Sequence, residues 1–276
     1  MLKLSIITIN LNNISGLKDT MQSVVSQTFK DLEWIVIDGG STDGSKELIE
    51  KNSDKISHWV SEKDNGIYQA MNKGIRLAQG EYLLFLNSGD YLTEDTIIEQ
   101  VFKDDGVTAD LCFGHTWYVK GDYKSPMGMP PADFTFYQFI AGSLPHSGGT
   151  FYKRQLFLDY GLYDEKYYMC GDIDFNMRVI FKHRCTVQKK ELFISYFDGN
   201  GLSQNPKRNI HWEHFYMIDK YYPRIYGSDF KSFGNSKDRS HALLLWDSIN
   251  THWYLRVPYK LFLRPYLKLY DKYNIK

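Results

Sequence analysis

Apolar strand-like runs alternate with amphipathic helical segments over the first hundred residues of the chain. The strand-like runs lie at residues 4–9, 32–37, 56–60 and 82–86. The helical segments lie at residues 17–25, 45–51, 67–78 and 93–102, the last with Thr93 as its expected N-cap. Alternation of this kind predicts an α/β fold with a mostly parallel central sheet, flanking helices and right-handed crossovers.

The pattern changes after about residue 109. Strand-like runs at 110–114 and 116–119 are expected to lie antiparallel around the turn at residues 120–122. A strand at 148–153 and a helix at 173–181 follow.

Beyond about residue 205 the sequence becomes helical, aromatic and basic, and this change indicates a domain boundary. We predict an α/β domain over residues 1–205, made of two halves at about 1–110 and 111–205. A helical region is predicted at residues 206–276.

The composition indicates which partners and which cellular compartment to expect. Lys plus Arg and Asp plus Glu both number 33, so the chain lacks the basic field of a nucleic-acid-binding protein. Its three widely spaced cysteines form neither a disulfide framework nor a zinc site, which indicates a reducing compartment. The N-terminus leads directly into a strand, without the apolar stretch of a signal peptide, and no apolar run reaches membrane-spanning length. We therefore expect a cytoplasmic protein.

Two polar motifs follow predicted strands, where α/β sheets bind ligands. In Asp38–Ser45, a carboxylate precedes small residues that let a base or ribose approach the backbone; the alternative is a tight turn capped by Asp43. The segment does not match the dinucleotide G-x-G-x-x-G pattern. In Leu86–Asp90, the final acid could hold a divalent cation that bridges a diphosphate, and the alternative is a polar turn.

Two further motifs open predicted helices. Lys73 could meet a phosphate, or it could be an ordinary surface lysine. Asp172 and Asp174 could include a general base for a hydroxyl nucleophile, although capping and the helix dipole alone favour acids at a helix start.

Together these motifs resemble a family 2 glycosyltransferase with the GT-A fold, most of all the branch that builds bacterial surface polysaccharides. The resemblance spans about residues 3–205, with the motifs in the expected order. It rests on Ser5–Asn10, Asp38–Ser45, Asp64–Tyr68, Ala70–Gly74, Asn87–Asp90, Pro145–Ser147 and Gly171–Asp174.

The resemblance assigns the first half of the domain to the nucleotide sugar and the second half to the acceptor. The nucleoside pocket and the path to the diphosphate would be formed by Thr8, Asn10, Asp38, Asp64, Asn72, Lys73, Ser88 and Gly89.

The resemblance also implies a metal site and a catalytic base. Asp90 matches the last acid of the family's metal motif and would bind Mn²⁺ or Mg²⁺, although Gly89 stands where many relatives carry another acid. Asp172 matches the catalytic base. Gly171 replaces the acid that often precedes the base, which keeps Asp174 as an alternative base.

His146 lies in the segment that faces the acceptor in this family. It could contact the sugar or the metal, and a structural role is equally compatible with the sequence.

The resemblance implies an inverting, metal-dependent transfer of a sugar from a nucleoside-diphosphate sugar, most often UDP-linked. The acceptor would be a hydroxyl of a saccharide or a lipid-linked saccharide. The alternatives are a nucleotidyltransferase and a non-catalytic carbohydrate-binding protein with the same fold. The sequence does not indicate the oligomeric state.

The C-terminal region carries a row of basic residues at four-residue spacing opposite aromatic and aliphatic positions. This pattern is typical of a helix that lies on an anionic membrane surface. The alternative is a helix packed on the domain with a solvated basic face. The basic row consists of Arg256, Lys260, Arg264, Lys268 and Lys272.

Overall fold

A computed structural model describes residues 2–103, 106–127 and 145–201, together with 213, 216, 217, 220 and 221. The chain divides into two compact units, Met1–His214 and Phe215–Lys276. The predicted membrane-binding row lies outside the described residues, as does most of the predicted C-terminal helical region. Among the described residues, no helix is both long and apolar enough to cross a bilayer.

The first half of the domain is a parallel β/α arrangement. Its strands are β1 (Leu4–Asn10), β2 (Leu32–Asp38), β3 (His58–Ser61) and β4 (Tyr82–Phe85). Its helices are α1 (Ile14–Val25), α2 (Ser45–Lys51) and α3 (Ile67–Leu77), with a 3₁₀ turn at Ser53–Lys55. The strands pair in the order β3-β2-β1-β4, all parallel. Their carboxyl ends therefore meet at one edge, which we call the site edge.

The part of the domain after β4 completes a mixed nine-stranded sheet within the described residues. Its strands are β5 (Tyr91–Leu92), β6 (Leu111–Lys120), β7 (Tyr123–Pro126), β8 (Thr150–Lys153) and β9 (Val187–Asp198). Its helical elements are α4 (Ile97–Phe102), a 3₁₀ turn (Ser147–Gly149), α5 (Gln155–Tyr160) and α6 (Gly171–Asn176), which continues as a π-helical turn (Met177–Lys182). Strand β8 lies antiparallel between β4 and β6, and β9 runs parallel to β6.

The central strands are continuous apolar runs in the sequence because they are buried in the core. Ile6 of β1 and Val36 of β2 are fully buried, as is Leu84 of β4, because helices cover the parallel part of the sheet. Helix α3 approaches β1 closely at Gly74, where a Cβ would lie 2.4 Å from Ile7. The absence of a side chain at Gly74 is thus what lets α3 pack at this distance.

The α/β fold class predicted from the sequence is confirmed, and the elements up to α3 lie within a few residues of their predicted bounds. Two predictions for the part of the domain after β4 are wrong. The runs at 110–114 and 116–119 form one strand, β6, and its antiparallel hairpin partner is β7 beyond Gly121. Thr93 does not cap a helix, because its hydroxyl donates to the Phe193 carbonyl and α4 begins only at Ile97.

Candidate active site

Asp38 ends β2 at the site edge, and it is completely buried. Its carboxylate accepts hydrogen bonds from Asn10 Nδ2 at 2.8 Å, from the backbone N–H of Ser41 at 3.0 Å and from Ser61 Oγ at 2.7 Å. Burial alone would raise the pKa of Asp38, but these hydrogen bonds and a further one from the Ser41 hydroxyl outweigh it and hold the pKa below its usual value. Asp38 is therefore a fixed anion that orders the loop after β2.

Asn10 ends β1 beside Asp38 and is also buried. Because its Nδ2 donates to Asp38, the amide oxygen is oriented away from that carboxylate. This Oδ1 atom is buried and has no hydrogen-bond partner among the described residues. A buried, unsatisfied acceptor is costly, and an N–H group of a ligand would supply the missing donor if it reached Oδ1.

Thr8 lies deeper in the sheet than the sequence implied. It is completely buried, its hydroxyl donates to the Leu86 carbonyl at 2.8 Å, and it accepts from the indole N–H of Trp34 at 3.0 Å. Both polar functions of the hydroxyl are thus used within the core. Thr8 supports the pocket rather than lining it.

Lys73 on α3 forms ion pairs of 2.6 Å with both Asp64 and Glu62. Partial burial would lower the pKa of Lys73, but hydrogen bonds to the two acids raise it above its usual value. Asp64 in turn adjoins the loop after β2, since a Cβ on Gly39 would lie 3.6 Å from its Oδ2 atom. Lys73 is therefore a permanent cation held beside the Asp38 loop, where a phosphate would have to share it with two acids.

Asn72 has a different task from the one implied by the resemblance. Its side chain is buried, donates to the Tyr163 carbonyl at 3.0 Å and to Glu165 at 2.9 Å, and accepts from the Tyr163 N–H at 3.1 Å. These bonds fasten α3 to the loop that follows α5. Both Nδ2 hydrogens and one of the two lone pairs of Oδ1 are thus used within the protein.

Asp90 follows β4 at the site edge and faces Asp198, the last residue of β9. The backbone N–H of Asp198 donates to Asp90 Oδ1 at 3.0 Å. Burial raises the pKa of Asp90 to about 7, and the neighbouring Asp198 carboxylate adds to the rise against the effect of backbone hydrogen bonds. The two acids thus lie together, and no ion pair with a basic residue neutralises either within the described part of the chain.

Gly89 and Ser88 form the turn that presents Asp90. Gly89 has φ +103°, and a Cβ on it would lie 3.0 Å from Asp198 Oδ2. The Ser88 carbonyl accepts from Asn13 Nδ2, while the Gly89 N–H donates to Thr20 on α1. Asp198 therefore occupies the space beside Gly89.

The chemistry of this acidic pair fits a hard divalent cation. No group of three or more potential His, Cys, Asp or Glu ligands occurs among the described residues. Mg²⁺, however, is typically held by one or two carboxylates together with substrate phosphates and waters, and Mn²⁺ prefers the same oxygen ligands. Asp90 and Asp198 supply those two carboxylates.

Asp172 lies at the start of α6 and is partly exposed. Its Oδ1 atom accepts from the Tyr68 hydroxyl at 3.0 Å and from the Ile173 N–H at 2.9 Å. Burial is the largest cause of the raised pKa of Asp172, and the Tyr68 hydrogen bond opposes it. Because Tyr68 belongs to the first turn of α3, Asp172 is fastened to the site edge.

Asp174 occupies a different environment two residues later. It is completely buried, and its Oδ1 atom accepts from the Tyr167 hydroxyl at 2.8 Å. A carboxylate enclosed in this way is not accessible to an incoming hydroxyl. The geometry therefore favours Asp172 over Asp174 as the base.

His146 precedes the 3₁₀ turn before β8. Its Nδ1 atom accepts from the Gly148 N–H at 3.1 Å, and its ring lies 4.5 Å from that of Phe197, next to Asp198. Burial lowers the pKa of His146 to about 4, so the ring is neutral at pH 7. With Nδ1 as an acceptor, the proton resides on Nε2, which makes His146 a hydrogen-bond donor.

Asp198 was missed by the sequence analysis. The polar run Gln188–Glu191 near the start of its strand conceals the alternation of apolar residues that would have indicated a strand. Its approach to Asp90 spans 108 positions along the chain and depends on the pairing of β9. The only feature of the sequence that could have indicated a role for Asp198 was its position just before Gly199 and Gly201.

The comparison with known sequences identifies the family. The model of glycosyl transferase family 2 matches residues 5–161. An uncharacterized glycosyltransferase of Mycobacterium tuberculosis is 33% identical over 208 residues, which cover 73% of this chain and 77% of that protein. A PGL/p-HBAD biosynthesis glycosyltransferase of Mycobacterium bovis is 29% identical over 205 residues, covering 72% and 78% of the two chains.

Solved structures show the same fold. Staphylococcus aureus TarS 1–349, in complex with UDP-GlcNAc, superposes with a TM-score of 0.63 at 17% identity, covering 87% of this chain and 69% of that one. The chain spans 36% of the longer TarS chain. A Pyrobaculum calidifontis mannosyltransferase, in complex with GDP-Man and Mn²⁺, has a TM-score of 0.56 at 16% identity, covering 79% and 64%.

The strand order, the polar groups gathered at the site edge and these matches agree on one assignment. The fold is GT-A, as the sequence motifs implied. The chain belongs to glycosyl transferase family 2.

Proposed function

We propose that this chain transfers one sugar from a UDP-sugar to a hydroxyl group of a saccharide or lipid-linked saccharide, with inversion at the anomeric carbon. The observation that carries the proposal is Asp172, a partly exposed carboxylate fastened by Tyr68 to the site edge. A base at this position can serve an acceptor hydroxyl, while the nucleotide occupies the Asn10 and Asp38 side of the same edge.

The reaction would be a single displacement. The acceptor oxygen attacks the anomeric carbon, and its proton passes to the Asp172 carboxylate. The bond between the anomeric carbon and the diphosphate oxygen breaks, and the nucleoside diphosphate leaves with the electron pair. A single base acting on the side opposite the leaving group gives inversion.

The nucleotide preference follows from Asn10. Its unsatisfied Oδ1 acceptor matches a base with a ring N–H, which uracil and guanine have and which adenine and cytosine lack in their usual forms. The UDP-GlcNAc complex of TarS supports uracil as our choice. Asp38 holds the amide of Asn10 in the orientation that directs Oδ1 away from the Asp38 carboxylate.

Asp90 and Asp198 are the residues that we propose hold Mn²⁺ or Mg²⁺. When bound, the cation would offset the negative charge that develops on the diphosphate. The Mn²⁺ in the mannosyltransferase complex supports this assignment. His146, as a neutral Nε2–H donor, is suited to hydrogen bond a sugar hydroxyl rather than the cation.

The acceptor class and the location are proposed from relatives and from the C-terminal sequence. The PGL/p-HBAD biosynthesis relative supports a glycolipid or surface polysaccharide acceptor. We propose that the enzyme works at the inner face of the cell membrane, to which the basic row at residues 256–272 would bind. Salt-sensitive co-sedimentation with anionic vesicles is expected for the full chain, whereas a version ending at Ser248 should stay in solution. Equal sedimentation of both versions would contradict the membrane proposal.

A panel of nucleotide sugars, tested with Mn²⁺ or Mg²⁺ and several acceptors, examines the proposal directly. We expect release of UDP together with a glycosylated acceptor, detected by mass spectrometry, and an inverted anomeric linkage by NMR. Release of pyrophosphate from a nucleoside triphosphate would instead identify a nucleotidyltransferase. Binding of sugars without turnover of any donor would identify a non-catalytic protein.

A further inference from the structure

Glu213 is a completely buried carboxylate that the site described above does not use. Its Oε1 atom accepts from the backbone N–H of Tyr168, and its Oε2 atom accepts from those of Met169 at 3.1 Å and Cys170 at 2.9 Å. A buried carboxylate is costly unless hydrogen-bond donors replace its water. Three consecutive N–H groups do so here, and in return the carboxylate fixes the conformation of this turn.

The turn bound by Glu213 leads directly into α6 and the proposed base. Asp172 follows Cys170 by two residues, and the intervening Gly171 packs against Tyr68, where a Cβ would lie 2.8 Å from the ring. Asp172 is therefore held from two sides, by the Tyr68 hydroxyl on its own Oδ1 atom and by Glu213 on the backbone that carries it. Because Glu213 fixes the backbone of this turn, a rotation of that backbone cannot carry the Asp172 carboxylate away from Tyr68.

We propose that Glu213 is a positioning residue for catalysis, which fixes the 168–170 turn so that the Asp172 carboxylate faces the acceptor hydroxyl. This inference rests on the proposed function, because it takes Asp172 as the base. Displacement of a reacting group by about 1 Å can cost roughly 10²-fold in rate. The negative charge of Glu213 also favours proton uptake by Asp172, in addition to the larger effect of burial.

The chain contains a matched control for the substitution of a buried carboxylate. Glu33 is 3% exposed and, like Glu213, accepts from consecutive backbone N–H groups, in its case the two of Gln79 and Gly80, and it also accepts from the Ser5 hydroxyl. It lies near the start of β2, at the end of the strand opposite Asp38. Its substitution should weaken the fold without reaching the site.

The experiment compares Glu213→Gln with Glu33→Gln in the full chain. An amide keeps the volume of Glu213 but turns one of its acceptors into a donor, which opposes an N–H of the turn. For Glu213→Gln we expect kcat to fall about 10- to 100-fold while the KM for the donor and the affinity for UDP change less than twofold, as for other residues that orient a reacting group. For Glu33→Gln we expect a lower melting temperature with a wild-type kcat. Backbone amide exchange at residues 168–170 should accelerate only in Glu213→Gln.

A double substitution shows whether Glu213 acts through Asp172. In the Asp172→Asn background, Glu213→Gln should lower kcat no further, because the group that it positions is already gone. A wild-type kcat in Glu213→Gln, equal losses of kcat in the two glutamate variants, or additive losses in the double variant would overturn the inference.

The same experiments separate this inference from the proposed function. An inactive Asp172→Asn combined with a fully active Glu213→Gln would refute only the positioning role. An Asp172→Asn variant with wild-type turnover would refute the base assignment itself.

Discussion

Asp38 and Asp90 are both buried carboxylates at the site edge, but their surroundings shift their pKa values in opposite directions. Asp38 receives hydrogen bonds from Asn10, Ser41 and Ser61, and its pKa lies below the usual value. Asp90 receives the N–H of Asp198 and faces that residue's own carboxylate, so burial and the second charge raise its pKa to about 7.

This difference divides the site into two parts. We call the surroundings of Asp38 the preformed side, and those of Asp90 and Asp172 the incomplete side. Around Asp38 the protein supplies the donors itself, which suits a pocket that must have its shape before the nucleotide arrives. Around Asp90 and Asp172 negative charge is left for something else to neutralise: a cation in one case and a proton from the acceptor in the other. Substitutions on the incomplete side should therefore affect turnover, and those on the preformed side should affect affinity.

The largest effect is expected for Asp172→Asn. Loss of a general base should lower kcat about 10²- to 10⁴-fold and leave UDP affinity nearly unchanged, because the base acts in the transition state. Steady-state kinetics and titration calorimetry measure the two quantities. The matched control is Asp174→Asn, which we expect to turn over donor. If Asp174→Asn were inactive and Asp172→Asn active, the two acids would have to exchange roles.

The next effect concerns the acidic pair. Asp90→Asn and Asp198→Asn should each abolish metal-stimulated turnover, with a loss of several kcal/mol of transition-state stabilisation. Both should also weaken Mn²⁺ binding in the presence of UDP, which can be followed by electron paramagnetic resonance without any turnover. Undiminished Mn²⁺ binding in Asp198→Asn would remove this residue from the site.

A smaller effect is expected in the pH profile. Ionised Asp172 is the active form, so kcat/KM should fall as the pH drops through its pKa. Because that pKa is raised, this acid limb should lie above about pH 3.9, the usual aspartate value. Tyr68→Phe removes a donor that stabilises the ionised form, so the limb should move to higher pH. Glu213→Gln removes a nearby negative charge, so it should move to lower pH. Shifts in the same direction would contradict the assigned roles.

The smallest effect on turnover should come from the preformed side. Asp38→Ala leaves Asn10, Ser41 and Ser61 without their acceptor, a penalty of about 1–3 kcal/mol. We expect UDP affinity to weaken about tenfold or more. Calorimetric titration without metal measures this loss, and the dependence of the remaining activity on Mn²⁺ should be unchanged. A variant with unaltered UDP affinity would show that Asp38 does not shape the pocket.

The preformed side was also the part that could be predicted from the sequence. Strands β1 and β2 are compact apolar runs ending in Asn10 and Asp38, so local pattern and parallel topology together predicted the site edge. The roles of individual side chains were harder to predict. Asn72 lies next to Lys73 in the sequence, yet its amide is bound by the Tyr163 backbone, 91 positions away.

The incomplete side depends on contacts that are distant in sequence. Thr93 precedes a helix and carries the side chain of a typical N-cap, but the pairing of β5 with β9 engages its hydroxyl instead. Asp198 reaches Asp90, and Glu213 reaches the turn before Asp172, only through tertiary packing. No local spacing encodes such contacts, which is why these two acids were absent from the predicted site.

The close packing of Gly171 on Tyr68 also restricts how this sequence can evolve. Any side chain at position 171 would collide with the ring, whose hydroxyl binds the proposed base. Gly171 can therefore be replaced only if the ring at position 68 moves or is lost. Homologues that carry an acid at position 171 are expected to have a smaller residue at position 68, and the two positions should covary across the family.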